Sequence, residues 1–251
     1  MSGHSHWATI RRKKGAADAK RGQVFTRLAR EIVIAAREGG GDPDLNIRLA
    51  YAIDRARAQN MPKDNIERAI KRGTGESKEG NALEEVVYEG YAQHGVALMI
   101  EVVTDNRNRA VAEIRHVLNR VGGSMAEAGS VAWQFRRISY FSFPQGKHSQ
   151  DEIFELAVEA GADDVIFDED MIEIIGPVEA FKEISDRLKA ARIHPEEAEL
   201  RYTPNNELEL DTDETVQVLK LIESLEDLDD VQTVYSSLAI TDEAMAQLEE
   251  A

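Results

Sequence analysis

Cysteine is absent from the 251 residues. That excludes disulfides, thiolate catalysis and zinc–thiolate centres. Long apolar runs are missing too. Stretches such as IVIAA and VALMI fall far short of the ~20 residues that a membrane-spanning helix needs, so no membrane association is expected. The N-terminus carries cations but no apolar segment of the secretory kind, and the expected location is the cytoplasm. Aromatics are sparse, at 6% with two tryptophans, so no row of stacking rings is encoded. There is no nucleophile elbow, zinc-protease helix or dinucleotide fingerprint. The Gly-rich GTGESKEGNA never closes with Gly-Lys-Ser/Thr as a phosphate-binding loop does. The acidic clusters Asp163-Asp164, Asp168-Glu169-Asp170 and Glu226-Asp227 with Asp229-Asp230 lack the spacing of a calcium loop and read as solvated turns. No catalytic residue, metal or cofactor is assigned, and the expectation is a protein that is not an enzyme.

What is present is charge, unevenly placed. Hydrophobic residues make up 42% and charged residues 31%, the balance of a globular chain. The net charge is −17. Residues 1–75 hold 16 Lys and Arg against 8 Asp and Glu, a net of +8; residues 76–251 hold 14 against 39, a net of −25. A basic segment on an acidic body points to a polyanion partner, with mutual attraction of the two parts as the competing reading. The cations cluster, which favours the polyanion. The head MSGHSHWATIRRKKGAADAKRG places Arg11, Arg12, Lys13 and Lys14 in one run, with Lys20 and Arg21 behind them; Arg27 and Arg30 follow. Such side chains neutralise phosphates and release counterions. Trp7 offers one flat face for an unpaired base, with folding back onto the helices as its alternative. His4 suits a phosphate or a 2′-hydroxyl. With Met1 removed, the amine, amides and imidazole of Ser2-Gly3-His4 could chelate Cu(II) or Ni(II), but unrelated N-termini share that pattern by accident.

Periodicity divides the chain. Residues 1–15 lack a helical apolar period and read as an arm. Phe25, Leu28, Ala29, Ile32, Val33 and Ala36 fall at 3.6-residue spacing, which predicts a helix from about Ala16 to the Gly39-Gly40-Gly41 stop. Asp42-Pro43 is expected to cap and start a second helix with Leu45, Leu49, Ala52, Ile53 and Ala56 on its face. A third runs from Met61-Pro62 to Gly73 around Ile66, Ala69 and Ile70. The second and third are spaced like a helix-turn-helix, a weak signal beside plain bundle packing. After a linker over 73–82, EEVVYEGYA and VALMIEVVTD read as strands joined through His94-Gly95. Asn106 onward reads as a helix and GSVAWQF as a strand. ISYFSF, DEIFELAVEA, DVIF, MIEII, PVEAFKEISDRLKAA and EEAELRY then give a split βαβ order. A helix, TDETVQVLKLIESLED, and a strand, VQTVYSSLA, follow, and 241–251 reads as a short acidic helix or tail. The expected fold class is α+β: an N-terminal three-helix bundle, then two ferredoxin-like αβ sandwich domains, one inserted in the other. The boundaries are 1–75 for the basic arm and bundle, 83–135 plus 205–240 for a discontinuous αβ domain, and 136–204 for the inserted one.

GHSHWATIRRKKGAADAKRGQVFTRLAREI, GGGDPDLNIRL, NMPKDNIERAIKRGTG, VYEGY, TDNRNRAVAEIRH, GSVAWQF and VQTVYSS resemble, in order and over almost the whole chain, the YebC family. This sequence departs from it at His6, where the family usually has lysine, and at Ala92-Gln93-His94-Gly95, where it usually has a glycine-proline-glycine turn. The resemblance implies a helical N-terminal domain with two αβ domains, one interrupting the other, and no catalytic residues. It also implies a role in gene expression, commonly described as transcriptional regulation. A mitochondrial relative activates translation of cytochrome oxidase, and bacterial members are linked to the ribosome. The expected function is a nucleic-acid-binding regulator that contacts DNA through the basic head. The alternative is a ribosome-associated translation factor on structured RNA. The acidic αβ domains would repel phosphates and are expected to face a protein partner or a less charged surface.

Overall fold

The computed structural model describes residues 18–77, 82–168 and 171–250. Three helices come first: α1 (Asp18–Gly39), α2 (Ile47–Ala58) and α3 (Lys63–Gly73). Their apolar stripes meet in a core of Ile32, Ile34, Leu49, Ile53 and Ile66, which Leu83 and Val103 of the body also enter. The bundle is therefore continuous with the sheet behind it.

The stop after α1 is built by contact and conformation together. Gly40 has φ +85°, and a Cβ on Gly39 would lie 2.6 Å from the Asn46 amide. A side chain at Gly39 would displace the Asn46 amide, and one at Gly40 would strain the backbone. The cap of α2 differs from the expected one. Asp42-Pro43 makes a turn in which Asp42 Oδ1 accepts from the Asp44 N–H at 3.0 Å. Asn46 caps the helix instead, accepting from the Leu49 N–H at 3.1 Å. Leu45, expected on the apolar face of α2, precedes the helix and is 83% exposed.

Two antiparallel sheets follow. The first contains β1 (Glu84–Tyr91), β2 (Ala97–Thr104), β3 (Ser124–Met125) and, from the end of the chain, β8 (Val231–Ser236), in the order β3-β1-β2-β8. Its helices α4 (Arg107–Arg120) and α7 (Thr212–Glu226) cover one face, meeting Leu98, Ile100 and Val102. The alternate residues of β2 point the other way. There Val103 enters the bundle core, while Ala97 and Met99 pack with Val131 and Phe135. The second face is thus covered by the bundle and by the second sheet. That sheet runs β5 (Asp164–Phe167), β6 (Met171–Pro177), β4 (Phe135–Pro144), β7 (Glu197–Pro204). Helices α5 (Gln150–Glu159) and α6 (Phe181–Ala190) pack over Phe141, Phe143, Ile172 and Ile174. Its order is the split βαβ plan, whereas the first sheet opens on a hairpin and shares only the layering. Helix α8 (Asp242–Glu250) closes the chain.

GSVAWQF is not a strand. Residues 128–129 form a turn, 130–131 a bend and Ala132–Gln134 a 3₁₀ turn, with β4 starting at Phe135. The cause is Glu89, whose buried carboxylate accepts from the N–H groups of Gly129 (2.5 Å), Val131 (2.6 Å) and Ala132 (2.8 Å). Donors held by one carboxylate are lost to a strand ladder.

Candidate nucleic-acid interface

Of the ten residues expected to contact nucleic acid, His4, Trp7, Arg11, Arg12, Lys13 and Lys14 lie outside the described residues. Lys20 and Arg21 belong to the first turn of α1. Arg27 and Arg30 are placed, and they turn inward. Arg27 donates to the Glu226 carbonyl. Arg30 donates to the Asp229 carbonyl and pairs with Asp230 at 2.9 Å. Both cations are thus engaged by the body of the protein.

The physical reason lies in α7. Its last turn has Glu223 and Glu226 and no cation, at the helix end where the macrodipole is already negative. The chain supplies the missing positive charge from α1. Asp230 gathers still more: it accepts from Thr104 Oγ1 at 2.8 Å and from Arg109 Nη2 at 2.7 Å. Arg37 similarly donates to the Leu83 carbonyl. Arg48 bridges Glu38 (2.6 Å) and Glu85 (3.0 Å), and Arg55 bridges Glu31 and, at 3.1 Å, Glu199 of β7. Attraction between the basic and acidic parts is therefore part of the architecture.

A different set of cations faces outward. Arg57, Lys63, Arg68 and Lys71 are exposed on α2 and α3. Arg57 and Lys63 have short-range partners, Asp54 at 3.3 Å and Glu67 at 3.4 Å. Among the described residues, Arg68 and Lys71 have no carboxylate partner. They sit three apart, on one side of α3, opposite the Ile66 and Ala69 face that is buried. Spacing alone could have separated them from Arg55 and Arg48, which interleave with the buried positions of α2.

Where bundle and both sheets meet lies a cleft of about 860 Å³. Glu101 projects into it from the inner face of β2. Burial and the neighbouring Glu199 and Glu85 push its carboxyl up to about 7, against Arg137 and a hydrogen bond from Tyr235. Burial, Glu199 and Glu101 hold the Tyr235 phenol well above its ordinary range. Tyr202 and Tyr235 meet edge to face at 5.6 Å and join the two sheets. Tyr51 of α2 donates to or accepts from Ser185 of α6 at 2.9 Å. One further residue was silent in the sequence. Trp133 is 71% exposed, its ring fixed by Nε1–H donating to the Ser130 carbonyl at 2.9 Å. Among the described residues, no three His, Asp or Glu side chains converge to hold a metal, and no helix is long and apolar enough to cross a membrane.

Comparison with known proteins covers nearly the whole chain. Residues 5–76 match the family model described as the TACO1/YebC protein N-terminal domain. Residues 83–238 match the model of the TACO1/YebC second and third domain. A protein of Desulfatibacillum aliphaticivorans named "Probable transcriptional regulatory protein" is 50% identical, covering 98% of this chain and 100% of its own. One of the same name from Acidithiobacillus ferrooxidans is 51% identical over 99% of each. The solved structure of a conserved hypothetical protein from Aquifex aeolicus is 42% identical, covers 90% of this chain and 93% of its own, and superposes with a TM-score of 0.80.

Proposed function

Since this chain belongs to the TACO1/YebC family, we propose that it is a non-enzymatic regulator of gene expression that grips nucleic-acid phosphates with its N-terminal unit. The observation that carries this reading is the sorting of cations on that unit. Those facing the body are consumed by carboxylates and helix-end carbonyls, while Arg68 and Lys71 stay exposed, on the same unit as the run Arg11–Lys14. Phosphate contact is sequence-independent and salt-sensitive, and it fixes position rather than base identity. The relatives' name favours DNA in the service of transcription. The composition of α3 favours the second reading, structured RNA of the ribosome. Its first turn offers Lys63, Asp64 and Asn65, too few base-reading side chains for major-groove recognition. The cytoplasm is the compartment either role requires in a bacterium.

The test compares full-length protein with a variant lacking residues 1–15, over a salt series, on duplex DNA and on ribosomes. The truncated protein is expected to lose most of its affinity and to show a shallower salt slope. Equal binding by the two would sink the reading. Co-sedimentation with ribosomes at physiological salt selects RNA, and protection of a defined promoter segment selects DNA.

A further inference from the structure

Trp133 faces solvent, yet the turn that carries it is clamped from several sides. From β1, the Glu89 carboxylate, itself buried, holds the N–H groups of Gly129, Val131 and Ala132. Just past β7, Asn205 donates its side-chain amide to the Trp133 carbonyl at 3.0 Å and its backbone N–H to the Gln134 carbonyl at 2.7 Å. Gln134 Nε2 in turn donates to the Tyr91 hydroxyl at 3.2 Å. Val131 and Phe135, which flank the tryptophan in sequence, are buried in the core between the sheets. Burying a carboxylate is costly unless its hydrogen bonds are made. Here those bonds fix a turn whose outermost side chain is an aromatic ring.

What the ring offers is its π-face. Its one polar atom, Nε1, is spent on the Ser130 carbonyl at 2.9 Å. The exposed residues of the turn and of its Asn205 clamp are small or polar: Glu127, Ala128, Gly129, Ser130, Asn205 and Asn206. The other large apolar side chains that are exposed, Leu45, Val121, Phe154 and Val158, belong to other elements. The turn therefore presents one ring, not the contiguous apolar patch that marks a protein docking surface. Arg136, three residues on, is exposed and has no carboxylate partner among the described residues. Three residues span at most ~11 Å of chain, within reach of a long cationic side chain.

We propose that Trp133 is a stacking platform for an unpaired base of a bound nucleic acid, with Arg136 supplying charge for an adjoining phosphate. The proposal rests on the nucleic-acid reading above and adds to it a contact on the acidic body. Stacking requires no neutralised phosphate, so a segment of net charge −25 can still hold a base. Bases inside a duplex have no free face, so the site selects single-stranded or looped-out nucleotides. Every base has a π-face, so it discriminates little among sequences.

The chain has two tryptophans. In full-length protein carrying Trp7→Phe, Trp133 is the only indole and reports on its own surroundings. The probes are a short single-stranded RNA and the same RNA annealed to its complement. Anisotropy of the labelled RNA reads binding, and Trp133 emission reads contact. The single strand is expected to quench Trp133 as it binds, and the blunt duplex to bind without quenching. Trp133→Ala is expected to weaken single-strand binding roughly 5- to 150-fold, the range of one base–aromatic stack, and Trp133→Phe to keep most of the affinity. Both change an exposed side chain and are expected to unfold near the wild-type midpoint. Stacking releases no counterions, so the Trp133→Ala factor is expected to be equal at low and high salt. Arg136→Gln, by contrast, is expected to lower the salt slope by about 0.7 on a single strand. An unchanged slope removes Arg136 from the site. Single-strand binding without quenching, or unaffected by Trp133→Ala, overturns the stacking and leaves the nucleic-acid reading standing. Equal quenching by the duplex, or a Trp133→Ala factor that shrinks as salt rises, does the same. If neither RNA binds, the nucleic-acid reading falls and the stacking with it.

Discussion

Arg30 and Asp230, two hundred residues apart, form an ion pair of 2.9 Å in which the aspartate side chain is only 2% exposed. The pair fastens the first helix to the last strand of the first sheet. The carboxylate is fully engaged by Arg30, Arg109 and Thr104. Removing one partner of a buried ion pair is costly because the other charge is left uncompensated. Asp230→Ala is expected to lose about 3–5 kcal/mol of stability, read by urea unfolding. Arg30→Met leaves Asp230 with Arg109 and is expected to cost about 1–2 kcal/mol. A loss within a few tenths of a kcal/mol for Asp230→Ala would show that the helix does not depend on this node.

On the proposed reading, Arg68 and Lys71 are expected to contribute to binding and not to the fold, because both are exposed and neither has a carboxylate partner among the described residues. Arg68→Gln/Lys71→Gln is expected to leave the unfolding midpoint unchanged and to weaken nucleic-acid binding uniformly across sequences. Each lost phosphate contact lowers the slope of log K against log salt by about 0.9 on duplex DNA or about 0.7 on single strands. Fluorescence anisotropy at four salt concentrations reads both effects. An unchanged slope removes this face from the interface.

The helices were legible because an apolar stripe at 3.6-residue spacing means the same thing in any context. The discontinuous first sheet was legible from an unpaired helix and strand at the end of the chain. Other features were decided by partners far away in sequence. Asp42-Pro43 and Asn46 are both good cap candidates, and Asn46 prevails because its amide also reaches the carbonyls of Ala35 and Gly40, each at 2.8 Å. GSVAWQF has the alternation of a strand, and Glu89 takes its backbone donors. Arg27 and Arg30 look like any cations on a helix face. Only the cation-free end of α7 shows which polyanion they meet. Trp133 gives no sign of its exposure, since a lone tryptophan before a strand ordinarily reads as core.

Asn46 ties the end of α1 to the start of α2 through both atoms of one buried amide. Asn46→Ala deletes the cap and strands two carbonyl acceptors. The expected loss is about 2–3 kcal/mol, combining a cap with unsatisfied backbone groups. Hydrogen exchange should localise it: amides of α1 and α2 lose protection first, while those of the second sheet keep theirs. Uniform loss across the chain would show that the bundle does not open separately.

Glu89 and Glu101 lie on adjacent strands and are shifted in opposite directions. Burial pushes the Glu89 carboxyl up, but three backbone donors more than offset it and hold it below its ordinary value. Burial, Glu199 and Glu85 push Glu101 up to about 7. The signs follow from proton linkage. Native Glu89 binds its proton less readily than the unfolded chain does. Its contribution is present above the unfolded pKa of about 4.5 and disappears as the pH falls through the lower native value. Native Glu101 binds its proton more readily, so stability declines as the pH rises from about 4.5 to about 7 and is level beyond. The charged groups facing Glu101 are Glu199, Glu85 and Arg137, and Tyr235 donates a hydrogen bond to it. Glu101→Gln is expected to stabilise the protein by about 2 kcal/mol at pH 8, to change little at pH 5, and to flatten the slope between them. Glu89→Gln is expected to destabilise at both pH values, since an amide offers only one acceptor oxygen to three donors. Urea unfolding at pH 5, 6, 7 and 8 separates the two, and a slope that survives Glu101→Gln assigns the titration to another group in the cleft.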